Sequence, residues 1–283
     1  FFNFLSLEFP MHQMDIYHEG QKTSSSINFL NNNKLWSKNY ITVGIIYETI
    51  ISKLAWGFFN NISLGSVRLF DILLIFIFKI ILCYLSYYIT CKTELKKNFQ
   101  YIFFIILSLF TVNLIDYEFP TSDLINLRDV IVIIALILSL KILLSDEKTL
   151  FPILILGFMS IFSLLWSLDR GIVCNLLILF SIFYLVINKK YTKVYSIILS
   201  IILFWFLTYI FLGKEFNYFI KNSISIITEM SYIHGIIFPK PFSDELNASR
   251  ATKNLIILIF SSFVLINLYL NKNKFPKDLK LIL

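Results

Sequence analysis

Asp15, His18 and Glu19, in the stretch Asp15-Ile16-Tyr17-His18-Glu19-Gly20, put two carboxylates and an imidazole within reach of one another. On a helix they fall at i, i+3 and i+4 and project from one side. One can then serve as a general base while its neighbours hold a divalent cation (Mg or Mn) or a phosphate. The plainer reading is that the trio solvates a loop. A zinc-protease site is not supported, because His18-Glu19 lacks the second histidine of His-Glu-x-x-His. Ser167-Leu168-Asp169-Arg170-Gly171 joins two apolar runs with almost no loop. Arg170 there suits an anionic headgroup, or it forms an exposed ion pair with Asp169 while Gly171 relaxes the backbone. Asn126-Leu127-Arg128-Asp129 opens the next apolar run in the same way, with Asp129 also suited to a helix start. Arg68 and Asp71, at i and i+3, are expected to pair with each other. Lys79 sits in the middle of an apolar run and needs a partner inside the protein. His234, Arg250 and Lys253 complete the set of substrate- or phosphate-binding candidates with Arg128, Asp169 and Arg170.

The elements that must position these groups are membrane elements. Hydrophobic residues make up 57% of the 283 positions and charged residues only 15%, with a mean hydropathy of +0.75. That excludes a soluble enzyme and predicts an all-α, polytopic transmembrane helix bundle. The net charge of +7 comes from lysines in short tracts between apolar runs, which are topology signals and not a nucleic-acid surface. Cys83 and Cys174 fall in apolar runs and Cys91 in a basic loop, so no disulfide or metal framework is indicated.

Seven runs approach the roughly 20 residues needed to cross the hydrocarbon core: 66–89, 99–115, 129–144, 150–168, 171–188, 192–213 and 254–270. Alternate loops carry the lysines: Lys92, Lys96 and Lys97; Lys141 and Lys148; Lys189, Lys190 and Lys193; then Lys272, Lys274, Lys277 and Lys280. These define the cytoplasmic side. The remaining loops hold Asp15, His18 and Glu19, then Arg128 and Asp129, then Asp169 and Arg170, then His234, Arg250 and Lys253, all expected on one extracytoplasmic face. Residues 40–60 are apolar but interrupted by Glu48 and Lys53, with a stripe at Ile46, Ile50, Leu54 and Phe58 that predicts an interfacial helix. A second amphipathic helix is expected near 216–229, followed by an ordered turn at Phe238-Pro239-Lys240-Pro241. The expected organisation is a first outer loop over 1–65, a bundle over 66–270 with an outer loop at 214–253, and a basic tail over 271–283. Residues 1–9 are too short to span, and an upstream helix is expected before them.

This pattern resembles the C-type superfamily of membrane glycosyltransferases, which use lipid-phosphate-linked sugars on the outer face. The resemblance rests on the carboxylate motif at Asp15 to Gly20, the interfacial helix at 40–60, and many short helices with basic turns. Asp15-Ile-Tyr-His-Glu-Gly, Trp166-Ser-Leu-Asp-Arg-Gly and the Phe238-Pro239-Lys240-Pro241 stretch are also similar to bacterial membrane proteins grouped with such transferases. It implies that Asp15 activates an acceptor hydroxyl and that Glu19 or His18 orients it or binds the cation. It further implies a polyprenyl-phosphate-linked sugar as donor and a glycan, lipid or protein as acceptor. Arg128, Arg170 or Arg250 would neutralise the leaving phosphate, in a multi-pass protein of the bacterial inner membrane. This chain departs from the family in the spacing of its acidic pair, since Asp15 and Glu19 flank His18 instead of lying adjacent or one residue apart. A transporter or flippase of lipid-linked saccharides and a noncatalytic membrane scaffold are the rival readings.

Overall fold

The computed structural model describes residues 18–39, 41–91, 96–113, 127–144, 150–234, 240–244 and 248–270. Among them every regular element is a helix. In order these are α1 (His18–Asn32), a π-helical turn (Ile46–Ile50) running into α2 (Ile51–Phe59), α3 (Leu64–Cys91) and α4 (Lys97–Asn113). A 3₁₀ turn (Leu127–Asp129) then leads into α5 (Val130–Leu144), followed by α6 (Leu150–Trp166), α7 (Leu168–Ile187), α8 (Tyr191–Leu212), α9 (Lys214–His234) and α10 (Ala248–Leu270). Two compact units emerge: residues 1–91 with 95–223, and residues 92–94 with 224–283.

Among the described residues each of the seven apolar runs contains a helix, and three of these, α3, α7 and α8, are long and apolar enough to cross a membrane. The described parts of α4, α5 and α6 hold 17, 15 and 17 residues. Outward faces of α7 and α8 are largely apolar, with Phe180, Phe183, Leu199, Phe206 and Phe211 exposed. Such a surface suits hydrocarbon, and large exposed apolar patches are rare on proteins in water.

In the first unit α6 packs on α7 and α8, α5 on α6 and α7, and α3 on α4 and α5. The largest core lies among α5, α6, α7 and α8, built from Ile131, Ala135, Ile142, Leu156, Cys174 and Ile197. Close approach depends on small residues, as expected where lipid supplies little driving force for helix association. A Cβ on Gly157 would lie 2.1 Å from Ser200 Oγ, and one on Gly171 would lie 2.6 Å from Leu164 Cα. Gly171 is therefore selected for a tight α6–α7 hairpin and not for backbone freedom, correcting the expectation from sequence. Polar ties cross the same packing: Ser160 Oγ donates to Asn175 Oδ1 at 2.6 Å, and Trp205 Nε1 donates to Ser160 Oγ at 3.1 Å.

The interfacial segment turns its polar side inward. Ile45, Thr49, Ser52 and Trp56 are buried with Glu48, whereas Leu54 and Phe58 of the expected apolar stripe are exposed. Glu48, Thr49 and Ser52 find hydrogen-bond partners within the protein, and the small Thr49 and Ser52 let α1 approach. Ser26 Oγ of α1 donates to the Glu48 and Thr49 carbonyls at 3.2 and 3.0 Å. The apolar stripe can face lipid without cost.

Candidate functional site

Charged groups gather where the N-terminal ends of α3, α5 and α7 meet. Glu19 on α1 receives two hydrogen bonds from Arg68 on α3, Nε to Oε1 at 2.7 Å and Nη2 to Oε2 at 2.8 Å. One helical turn further along both helices, Lys22 Nζ meets Asp71 Oδ2 at 2.8 Å. Arg68 and Asp71 thus do not pair with each other as the sequence suggested. Each takes a partner from α1, so that two crosswise ion pairs tie α1 to α3. The Lys22 ammonium also lies 4.3 Å from the centre of the Tyr47 ring. Burial acts to lower the Lys22 pKa, but the Asp71 carboxylate and Tyr47 outweigh it and hold the amine above the usual lysine range.

Tyr47 links this pair to a second cluster. Arg128, in the 3₁₀ turn before α5, places its guanidinium carbon 6.0 Å from the Tyr47 ring centre. Its Nη1 is 3.6 Å from Asp169 Oδ2. Arg170 donates from Nη1 to Asp169 Oδ2 at 3.0 Å and from Nε to Asp129. Asp169 itself is fixed by the start of α7: Ser167 Oγ donates to its Oδ1 at 2.5 Å and the Arg170 amide does so at 2.8 Å. Negative charge at helix starts is favoured by the backbone dipole, which accounts for Asp129 and Asp169. Their side chains differ in access, with Asp169 41% exposed and Arg170 29%. Lys22 and Asp71, at 8% and 7%, are closed off.

A strap of extended chain holds the two clusters together. Glu48 accepts hydrogen bonds from the Thr42 amide at 3.1 Å, the Thr42 hydroxyl at 2.5 Å and the Val43 amide at 2.8 Å. Burial pushes its carboxyl above the usual value despite these donors. Val43 in turn accepts from the Leu168 amide at 2.6 Å, and Gly44 passes so close that a Cβ would lie 2.3 Å from the Trp166 carbonyl oxygen. Glu48 thereby fixes the strap, and the strap fixes the junction that carries Asp169 and Arg170. On the other side Glu215 of α9 accepts from the Trp36 and Ser37 amides at 2.8 and 3.1 Å. Burial opposes its ionisation, but these donors, with the Ser37 hydroxyl, hold its pKa below the ordinary carboxylate value.

The opposite helix ends carry the lysines. Lys193, at the start of α8, donates to the Ile142 carbonyl in the last turn of α5 at 2.9 Å. Lys141 lies 5.0 Å from the Tyr84 ring centre near the end of α3. Lys79 is buried within α3.

Of the residues singled out from sequence, Glu19, Arg128, Asp169 and Arg170 belong to this one chain of contacts. Asp15 lies outside the described residues, as do Phe238 and Pro239 of the Phe238-Pro239-Lys240-Pro241 stretch. His18 begins α1 and His234 ends α9, while Arg250 is on α10; the side chains of all three lie outside the description. Lys253 is exposed on α10 in the second unit. Among the described residues no group of three or more His, Cys, Asp and Glu is placed to hold a metal ion.

Lys22, Tyr47 and Glu48 were missed as site residues. The signal for Lys22 was available: Glu19/Lys22 and Arg68/Asp71 are both i, i+3 pairs, with charges in opposite order. Comparison of the chain with family models, with curated proteins and with solved structures finds no match in any of the three.

Proposed function

We propose that this chain is a multi-pass membrane transferase that moves a sugar from a polyprenyl-phosphate donor to an acceptor at the extracytoplasmic face. In this reading α3 to α8 and α10 cross a bacterial inner membrane, the shorter ones buried against neighbours. The single observation that carries the proposal is the pairing of Arg128 and Arg170 through the exposed Asp169 at the adjoining starts of α5 and α7. The Arg128–Asp169 contact, at 3.6 Å, is the longest ion pair of the network, and a phosphate can take the place of that carboxylate between the two guanidiniums. Charge that develops on the leaving phosphate then meets two fixed cations and two helix N-termini.

Glu19 is occupied by Arg68 through both oxygens, so it anchors the motif. Asp15, ahead of the α1 start, is left to take the acceptor proton. Any divalent cation would have to draw on Asp15 and His18.

The test is sugar transfer by the purified chain in bilayers containing a polyprenyl-phosphate-linked sugar. Asp15→Asn should lower turnover by about 100-fold or more with donor binding retained. Full transfer in both Asp15→Asn and Glu19→Gln overturns the mechanism, and translocation of the lipid without transfer makes the chain a flippase.

A further inference from the structure

Between α1 and the strap lies a cleft of about 140 Å³, lined by Gln21, Ser24, Ser25 and Asn28 from α1 and by Asn39, Thr42 and Glu48 from the facing chain. Among the described residues no apolar side chain and no cation lines it. Buried polar groups almost always find partners, yet this wall holds groups that have none. Asn39 is 8% exposed, and its amide nitrogen donates to the Lys34 carbonyl at 3.0 Å, but its Oδ1 accepts nothing. The Gln21 side chain, half-buried at the cleft, makes no hydrogen bond among the described residues. Glu48 Oε2 accepts only the Thr42 amide, which leaves it room for another donor.

The capacity open to the cleft is thus an acceptor at Glu48, an acceptor at Ser24, whose hydroxyl already donates to the Gln21 carbonyl at 3.4 Å, and mixed donor and acceptor groups at Gln21, while Asn39 Oδ1 lies unpartnered behind the wall. Hydroxyl groups, which donate and accept at once, meet all of these. An anion does not, since the one charged group in the wall is a carboxylate. Glu48 is also the chain neighbour of Tyr47, which touches both Lys22 and Arg128.

We propose that this cleft binds one uncharged sugar unit and rejects anionic sugars. The assignment rests on the transferase reading for the role of that unit in the reaction, and the cleft chemistry stands apart from it. The experiment is saturation-transfer NMR on the full chain in lipid nanodiscs at pH 7.5, with glucose, N-acetylglucosamine and glucuronate as probes. At least one neutral sugar should bind, and glucuronate should bind about 10-fold more weakly or worse, since like charges would be brought together. Ser24→Leu and Gln21→Leu, at an exposed and a half-buried position of α1, should abolish the signal while the melting temperature is unchanged. Glu48→Gln should narrow the gap between neutral and acidic sugars. Binding by none of the probes, binding untouched by both leucine variants, or equal binding of glucuronate overturns the proposal. Because free sugars carry no phosphate, loss of transfer with cleft binding intact would count against the transferase alone. Transfer that survives both leucine variants with no sugar bound would count against the cleft alone.

Discussion

Replacing Lys22 by Met removes one partner of the most enclosed ion pair in the site. At 2.8 Å, Coulomb's law with an effective dielectric constant of about 20 gives an attraction of roughly 6 kcal/mol. Desolvating the two ions costs several kcal/mol each, so the net value of the pair is small and the cost of breaking it is large. Without Lys22, Asp71 keeps a buried carboxylate whose Oδ1 already has no partner, and the cation over the Tyr47 ring is lost as well. The expected destabilisation is about 3–5 kcal/mol for Lys22→Met. The double variant Lys22→Met with Asp71→Leu should recover most of it, giving a coupling energy of about 3 kcal/mol. Reversible unfolding in mixed micelles, scored for both single variants and the double, measures this cycle. A Lys22→Met loss below about 1 kcal/mol, or additive single and double effects, would refute the buried crosswise pairing.

Gly44→Ala should destabilise by about 1–3 kcal/mol, since its Cβ would meet the Trp166 backbone at 2.3 Å. Gly57→Ala, with open space around it on α2, should instead stabilise by about 0.5–1 kcal/mol; thermal unfolding of the two variants checks the contrast. Glu48 gives a pH signature: burial raises its folded pKa above 4.5, so the folded chain holds that proton more tightly than the unfolded chain. Its contribution is fully present below about pH 4.5 and is lost as pH rises through the raised value. The stability of wild type relative to Glu48→Gln should therefore fall over that window, and a difference that grows with pH contradicts the burial. Cysteines introduced at positions 15 and 190 should react with impermeant reagent from opposite sides of the membrane; labelling from one side removes the proposed topology.

The helical class and the position of most helices were legible because apolar run length and basic loops need no tertiary information. Charge alternation also anticipated which helix ends meet, as Arg128 with Asp169 and Lys193 with the end of α5 now illustrate. The near absence of a loop between α6 and α7 was legible, although the break falls at Ser167, and Asp169 and Arg170 belong to the first turn of α7. What was not legible depended on docking. From sequence, α1 is a polar segment, Gln21-Lys22-Thr23-Ser24-Ser25-Ser26, and nothing local shows that its serines contact Glu48 and Thr49. Crosswise pairing of Glu19 and Lys22 with α3 follows only once that contact exists. The inward face of residues 45–56 was likewise not legible, since it mixes Ile45, Ile51, Ala55 and Trp56 with Glu48, Thr49 and Ser52.

Binding of a lipid phosphate between Arg128 and Arg170, as proposed, is measured by titrating polyprenyl-phosphate-linked sugar in native mass spectrometry. Arg170→Ala removes a charge-assisted contact worth roughly 1.5–3 kcal/mol, so affinity should fall by about 10-fold or more. Asp129→Asn, which breaks the Arg170 pair but keeps the guanidinium, should bind at least as well as wild type. Equal affinity for wild type and Arg170→Ala, or parallel losses in both variants, would contradict the account.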